Sequence, residues 1–402
     1  MQRLLVAATL YASCLSFVAG TPPQRRQNAS GSPESTNSNA IIAPKVFIFS
    51  MFNAEGDVWY NIPEFNVLAH NITVPGFSPQ FPDAHCTDDG SICQLTTGEA
   101  EINAATTVTS LVRSSLFDLT NTYFLIAGIA GINPKLGTTG TVTFARFAVQ
   151  VALQYEIDAR EIPVDWTTGY VPQGAKAPGQ YPPELYGTEV FELNNALRQL
   201  AFNFARNATL NDTDAAAEYR KNYASDPTFA AAARPPSVVL CDTATSDNFW
   251  LGTLLSEAFE NTTTLFTNNT ATYCTTQQED NATLEALLRG AISGLVDFSR
   301  IIIMRTASDF DRPFPGSTPA AGLDFDIQGG FTNSIANLHI AGVQVIQGIV
   351  DAWDSRFKAG IEATNYIGDI FGSLGGTPDF GPGSLFGGKG ARKNKRRSAR
   401  AP

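Results

Sequence analysis

The chain predicts an α/β domain in which a mainly parallel sheet is flanked by helices. Three observations carry this. Short continuous apolar runs, of the kind that become strands buried on both faces, recur along the chain. Stretches with apolar residues at helical spacing lie between them, the alternation that yields parallel strands with helical crossovers. From residue 44 to about residue 371 the composition is steady and no long linker intervenes, which suits one large domain with insertions.

The elements follow in chain order. Residues 1–20, MQRLLVAATLYASCLSFVAG, have a basic Arg3, an apolar stretch and a small-residue end, the pattern of a signal peptide. Residues 21–43 form a Pro-, Ser- and Asn-rich leader that cannot bury a core, and Arg25-Arg26 within it is either a processing site or two solvated bases. VFIFSMF (46–52) and TYFLIAGIAGI (122–132) read as buried strands, as do VVLC (238–241) and RIIIMR (300–305). Helical spacing marks 102–117, 184–205, 282–298 and 333–353. The Pro/Gly/aromatic stretch 165–186 reads as a long loop, in which Trp166 and Tyr170 either cover a ligand or anchor the loop. Residues 372–402, Gly-rich and then basic, read as a disordered tail.

Composition narrows the function. A formal charge of −11 argues against nucleic-acid binding as the main role. After the leader no apolar run approaches the roughly 18–20 residues that a bilayer-crossing helix needs. Removal of the signal takes Cys14 and leaves Cys86, Cys93, Cys241 and Cys274, an even number that favours disulfides in an exported chain. Three pairings are open; Cys86–Cys93, closing the small loop HCTDDGSIC, with Cys241–Cys274 is preferred. Neither their spacing nor the scattered His70, His85 and His339 suggests a metal site, and no cofactor is implied. Sequons at Asn28, Asn71, Asn207, Asn211, Asn261, Asn268 and Asn281 suit a secreted or cell-surface glycoprotein.

If the strands run parallel, their carboxyl ends share one edge, where open α/β sheets place ligands. Four features then converge there: Glu55 and Asp57 in NAEGD, Ala127 to Gly131 in AGIAG, Glu279 and Asp280 in QQEDN, and Asp309 and Asp311 in SDFD. Gathered carboxylates accept hydrogen bonds from hydroxyls, or act as general acids where burial raises a pKa. Each acid taken singly is equally readable as a helix cap or a solvated loop residue, and Asp311 beside Arg312 as half of an ion pair. Asp247 in TSDN has a similar double reading, a pocket acid on one side and a turn or helix cap on the other.

FSMFNAEGDVWY, LTTGEAEINAA, FLIAGIAGINP, VALQYEIDAREIP, TSDNFWLG, QQEDNATLEAL and MRTASDFDRP together resemble the purine nucleoside permease family of fungi and bacteria. The motifs span residue 46 to about residue 313, and the remainder to about Phe371 fits as well. More distantly they are similar to the nucleoside phosphorylase and nucleosidase superfamily. That likeness implies a three-layer nucleoside-phosphorylase-like fold, a twisted mixed sheet flanked by helices, often as a homo-oligomer. It also implies roles: Glu279 holds ribose hydroxyls, Asp309 donates a proton or hydrogen bond to the purine, and Phe249 stacks on the base. Glu55 stands where nucleosidases keep the glutamate that activates water. The phosphate-contacting pattern glycine-serine-alanine-glycine is here Gly128-Ile129-Ala130-Gly131, and Ile129 cannot donate a hydroxyl hydrogen bond to an anion. The resemblance therefore implies hydrolysis rather than phosphorolysis, if the chain is an enzyme.

Three functions compete. The family implies a purine-nucleoside-recognising protein in nucleoside uptake, working outside the membrane as a capture component or with a separate membrane carrier. The alternative is an N-ribosyl hydrolase, or phosphorylase, that releases free base outside the cell. The third is a non-catalytic secreted glycoprotein. Asn281, a sequon inside the expected site, is expected to be unmodified.

Overall fold

The computed structural model describes residues 41–381; the expected signal peptide, nearly all the leader and the basic end of the tail lie outside them. Strands β1 (Val46–Ser50), β2 (His70–Thr73), β3 (Asp83–Cys86), β4 (Ile92–Thr96), β5 (Tyr123–Ile132), β6 (Val142–Ala145) and β7 (Phe147–Gln150) form the first half. β8 (Gln154–Glu156) and β9 (Tyr170–Pro172) make a separate hairpin. β10 (Val190–Glu192), β11 (Val238–Leu240), β12 (Asp242–Thr245), β13 (Tyr273–Gln277), β14 (Ile301–Phe310) and β15 (Gly368–Asp369) complete one 13-stranded sheet.

The sheet is mixed, as the resemblance implies, and not mainly parallel. β5 lies parallel to β1 and β14, while β13 runs antiparallel to β5 and β6 antiparallel to β14. The reason is local: the link 133–141 holds no helix, and a parallel return needs a crossover of a dozen or more residues. The run VTFARFAVQ, which holds β6 and β7, escaped the pattern reading.

Alternation along the buried strands sorts side chains into two layers. Phe47, Phe49, Phe124, Ile126, Ile301 and Ile303 pack with Val108 and Leu111 of α2 (Ala100–Arg113) and Leu284 and Leu287 of α6 (Asp280–Ile292). Val46, Ile48, Leu125, Ile302 and Met304 pack on the other face against α3 (Asn195–Ala205) and α8 (Gly330–Asp351). The remaining α-helices among the described residues are α1 (Asn53–Asp57), α4 (Asp214–Tyr219), α5 (Thr253–Phe266) and α7 (Pro319–Asp324).

Several expected boundaries shift. The helix expected over 184–205 begins only at Asn195, because Val190–Glu192 pairs with β7 and Asn194 caps the helix by accepting from Ala196 N and Leu197 N. The strand expected to stop at residue 305 runs on to Phe310, while the run 122–132 is strand from Tyr123 to Ile132, Gly128 and Gly131 included. Asp309 is therefore a strand residue, not one past a strand end. Both expected disulfides are formed, Cys86–Cys93 and Cys241–Cys274. Tyr170 packs edge-on against Phe259 of α5, a contact that anchors the 165–186 loop. Phe380 is buried against Phe147 and Tyr366, so packed chain continues beyond residue 371.

Candidate functional site

The central sheet has a gap. β1 pairs with β5 only from Tyr123 to Ile126 and ends at Ser50, while β13 meets β5 only at Gly131 and Ile132. Between these contacts the Ile129 peptide faces no strand on that side, and a strand's unmet N–H and C=O are costly when buried. Two side chains supply the partners. Ile129 N–H donates to Glu55 Oε1 at 2.6 Å, and Arg305 Nη1 donates to Ile129 O at 3.1 Å. The gap opens as a cleft of about 280 Å³ lined by Met51, Phe52, Glu55, Phe249, Glu279, Arg305, Ser308 and Asp309, among others.

Glu55 reaches the cleft because β1 turns at Met51 into the short α1. Its second oxygen, Oε2, accepts from Met51 N at 2.7 Å. Burial pushes its pKa up to about 8; the Arg305 charge pulls the other way and Glu279 adds to the rise. A carboxyl titrating there is poised for base work near neutrality.

Glu279 stands at the N-terminus of α6. Its Oε1 accepts from Ala100 N at 3.1 Å and its Oε2 from Gln278 N and Arg305 Nη2, both at 3.3 Å. Burial raises its pKa, and Arg305 opposes that rise. Ala100 holds a φ of 74°, a left-handed backbone that costs a non-glycine residue roughly 1–2 kcal/mol. That strain sits where the chain aims an N–H at the cleft's carboxylate, and strained backbone tends to gather at functional sites.

Asp309 is aimed by a β-bulge. The β5–β14 register slips between Ala307 and Asp309, leaving Ser308 unpaired and bringing Asp309 opposite Gly131. Ser308 Oγ donates to Asp309 Oδ1 at 2.5 Å. Burial lifts the Asp309 pKa to about 6; the Ser308 hydrogen bond lowers it and Asp311 raises it. Phe249, 58 % exposed as a residue, lines the cleft wall and is available to a ligand's flat face. The two glycines expected at an anion loop have another role. A Cβ on Gly128 would stand 2.5 Å from Arg305 Nη1, and one on Gly131 2.4 Å from Thr276 Oγ1, so only glycine leaves room there.

The structure thus brings Glu55, Phe249, Gly131, Glu279 and Asp309 into one cleft, with Gly128 beneath it. Asp57 is exposed and lies outside it. Asp311 is buried in a separate network with Arg312 and the Tyr273 hydroxyl. Asp247 accepts from Glu101 N at 2.8 Å, the capping reading. Asn281, the sequon inside the expected site, is buried and donates to Thr188 O at 2.7 Å. Sequence reasoning missed Arg305. Its guanidinium is 1 % exposed and ties Glu279, Asp280 and Ile129 together. Burial alone would lower its pKa, but Asp280 and Glu279 more than reverse that and keep it charged. The signal was present: an arginine inside an apolar strand run requires buried carboxylate partners.

Comparison with known proteins follows from this geometry. A family model described as purine nucleoside permease matches residues 43–362. The chain is 49% identical to a purine nucleoside permease of Candida albicans over 352 residues, 86% of this chain and 85% of that protein. It is 42% identical to a probable purine nucleoside permease of Schizosaccharomyces pombe over 324 residues, 78% of this chain and 91% of that protein. Among solved structures it is similar to a 5'-methylthioadenosine/S-adenosylhomocysteine nucleosidase of Neisseria meningitidis, with 15% identity and a TM-score of 0.44 over 76% of this chain and 99% of that one. A futalosine hydrolase of Helicobacter pylori gives 14% identity and a TM-score of 0.42 over 77% and 97%.

Proposed function

The chain belongs to the purine nucleoside permease family, and from that membership and the cleft's chemistry we propose that it binds a purine nucleoside on the uptake route. One observation carries this reading: a single cleft joins a buried carboxylate suited to paired hydroxyls with an acid and an exposed ring suited to a purine. Glu279 accepts from the ribose hydroxyls, Asp309 faces the base edge and Phe249 covers the base. The signal-like N-terminus and two disulfides support work outside the cell, with a separate membrane carrier as partner. Among the described residues no helix is long and apolar enough to cross a membrane. Calorimetry with adenosine, inosine and guanosine tests the reading. Glu279→Ala should weaken nucleoside binding by about 2–4 kcal/mol, the scale of leaving polar partners unmatched; unchanged affinity removes the assignment.

A second reading, hydrolysis of the bound nucleoside, is favoured by the two titrating carboxyls, Glu55 and Asp309, that line the same cleft. In that reaction ionised Glu55 takes a proton from water as its oxygen bonds to C1′ of the ribose. The C1′–N9 bond breaks, its electron pair passes to the purine, and Asp309 supplies the proton that neutralises the leaving base at N7. The products are free base and ribose. Phosphate suits the site poorly: Glu55, Glu279 and Asp280 crowd one guanidinium, and the Ile129 N–H that could meet an anion already serves Glu55. Base release should therefore be independent of added phosphate and should yield ribose. Phosphate-dependent turnover giving ribose 1-phosphate would reverse this choice.

A further inference from the structure

A second cavity of about 640 Å³ adjoins the cleft and shares Ile129, Phe249, Ser308, Asp309 and Phe331 with it. It shares none of Glu55, Glu279 and Arg305, the groups assigned to the ribose and water, and of the assigned groups only the base-facing Asp309 and Phe249 line it. Its outer wall is Leu323, Ile327 and Phe331, supplied by the segment from α7 to the start of α8, together with Leu251 just before α5. Leu323 is 49 % exposed, Ile327 87 % and Phe331 51 %, while Asp326, the wall's acid, already accepts from the Tyr219 hydroxyl at 3.0 Å. Large apolar side chains left open beside a ligand cleft lose stabilisation that an apolar occupant would restore.

The geometry points to an annex that takes an apolar substituent on the purine, so that the site accepts nucleosides alkylated or arylated on the six-position nitrogen. This rests on the nucleoside reading of the cleft. An acid that protonates N7 sits beside the six-substituent, because the two positions are neighbours on one edge of the ring. A group on that nitrogen therefore leaves the cleft past Asp309, which is where the annex begins. An unsubstituted nucleoside fills the smaller cavity only, and substituents on the sugar hydroxyls meet Glu279, which does not line the annex.

The test is calorimetry with adenosine and N6-benzyladenosine on the full chain and on Leu323→Trp, a change at a half-exposed annex residue that fills the space. The full chain should bind N6-benzyladenosine at least as tightly as adenosine. Leu323→Trp should lose tenfold or more in affinity for the benzyl compound and keep adenosine within twofold. Ile327→Trp, at a more exposed position, is the second variant should the first fail to fold, with the same expectation. If adenosine binds and N6-benzyladenosine is tenfold weaker, or if the tryptophan weakens both alike, the annex assignment falls and the nucleoside site stands. If neither compound binds, the nucleoside reading falls and this inference with it.

Discussion

Glu55 and Asp309 set a testable pH behaviour. Hydrolysis needs Glu55 ionised and Asp309 protonated, yet Glu55 titrates near 8 and Asp309 near 6. Between those values each unit of pH gained in ionised Glu55 is lost in protonated Asp309. The kcat/KM profile should therefore rise to about pH 6, stay level to about pH 8 and fall above it, with only about 1% of molecules in the working state. Asp309→Asn removes one titration, so its residual rate, lower by roughly 10²–10⁴-fold, should climb until about pH 8 and then level off. A variant that keeps the flat profile from pH 6 would remove Asp309 from the chemistry. These acids were legible because each sits in a motif with its neighbours. Arg305 showed in the sequence only as an arginine that needs buried carboxylates; that these are Glu279 and Asp280, 26 and 25 residues earlier, only the folded β14 and α6 reveal.

At the scale of elements, long apolar runs declared themselves and short strands did not. Tyr123–Ile132 and Ile301–Phe310 were found, although their far ends looked like loops, since glycine, serine and aspartate are turn residues in isolation. Here the glycines clear space for Arg305 and Thr276, and the Ser308 bulge turns Asp309 into the cleft. Val190–Glu192 was lost inside a helical reading because three residues carry too little periodicity. The boundary that follows it makes a sharp prediction. Asn194 is 1 % exposed; its Oδ1 caps α3 while its Nδ2 donates to Ile361 O at 2.7 Å and Ser299 O at 3.2 Å. Asn194→Ala removes a cap worth about 1 kcal/mol and leaves buried carbonyls unmet, for a total loss of about 2–3 kcal/mol. Urea denaturation should report it; a loss below about 0.5 kcal/mol would mean that water or a neighbour replaces the amide.

Over the whole molecule the site depends on where strands stop, and sequence pattern locates strand ends poorly. The cleft exists because β1 ends early, β5 continues and β13 arrives antiparallel beyond the gap. Cys241–Cys274 pins that arrangement, since Cys274 lies in β13 and Cys241 immediately precedes β12, the parallel neighbour of β13. Cys86–Cys93, by contrast, links β3 and β4 at the far side of the sheet. Their sequence separations are 33 and 7 residues. Loop-closure entropy then gives stabilisations of about 3.7 and about 2.4 kcal/mol. All four sulfur positions are buried, so replacement by alanine leaves similar small voids in each case. Cys241→Ala with Cys274→Ala should therefore cost about 1 kcal/mol more than Cys86→Ala with Cys93→Ala, read from urea midpoints at constant m. It should also weaken nucleoside binding, whereas the other pair should leave affinity unchanged, because only the longer bridge borders the strand that closes the gap. Equal stability losses, or affinity lost in the Cys86/Cys93 pair alone, would break the link between this bridge and the cleft.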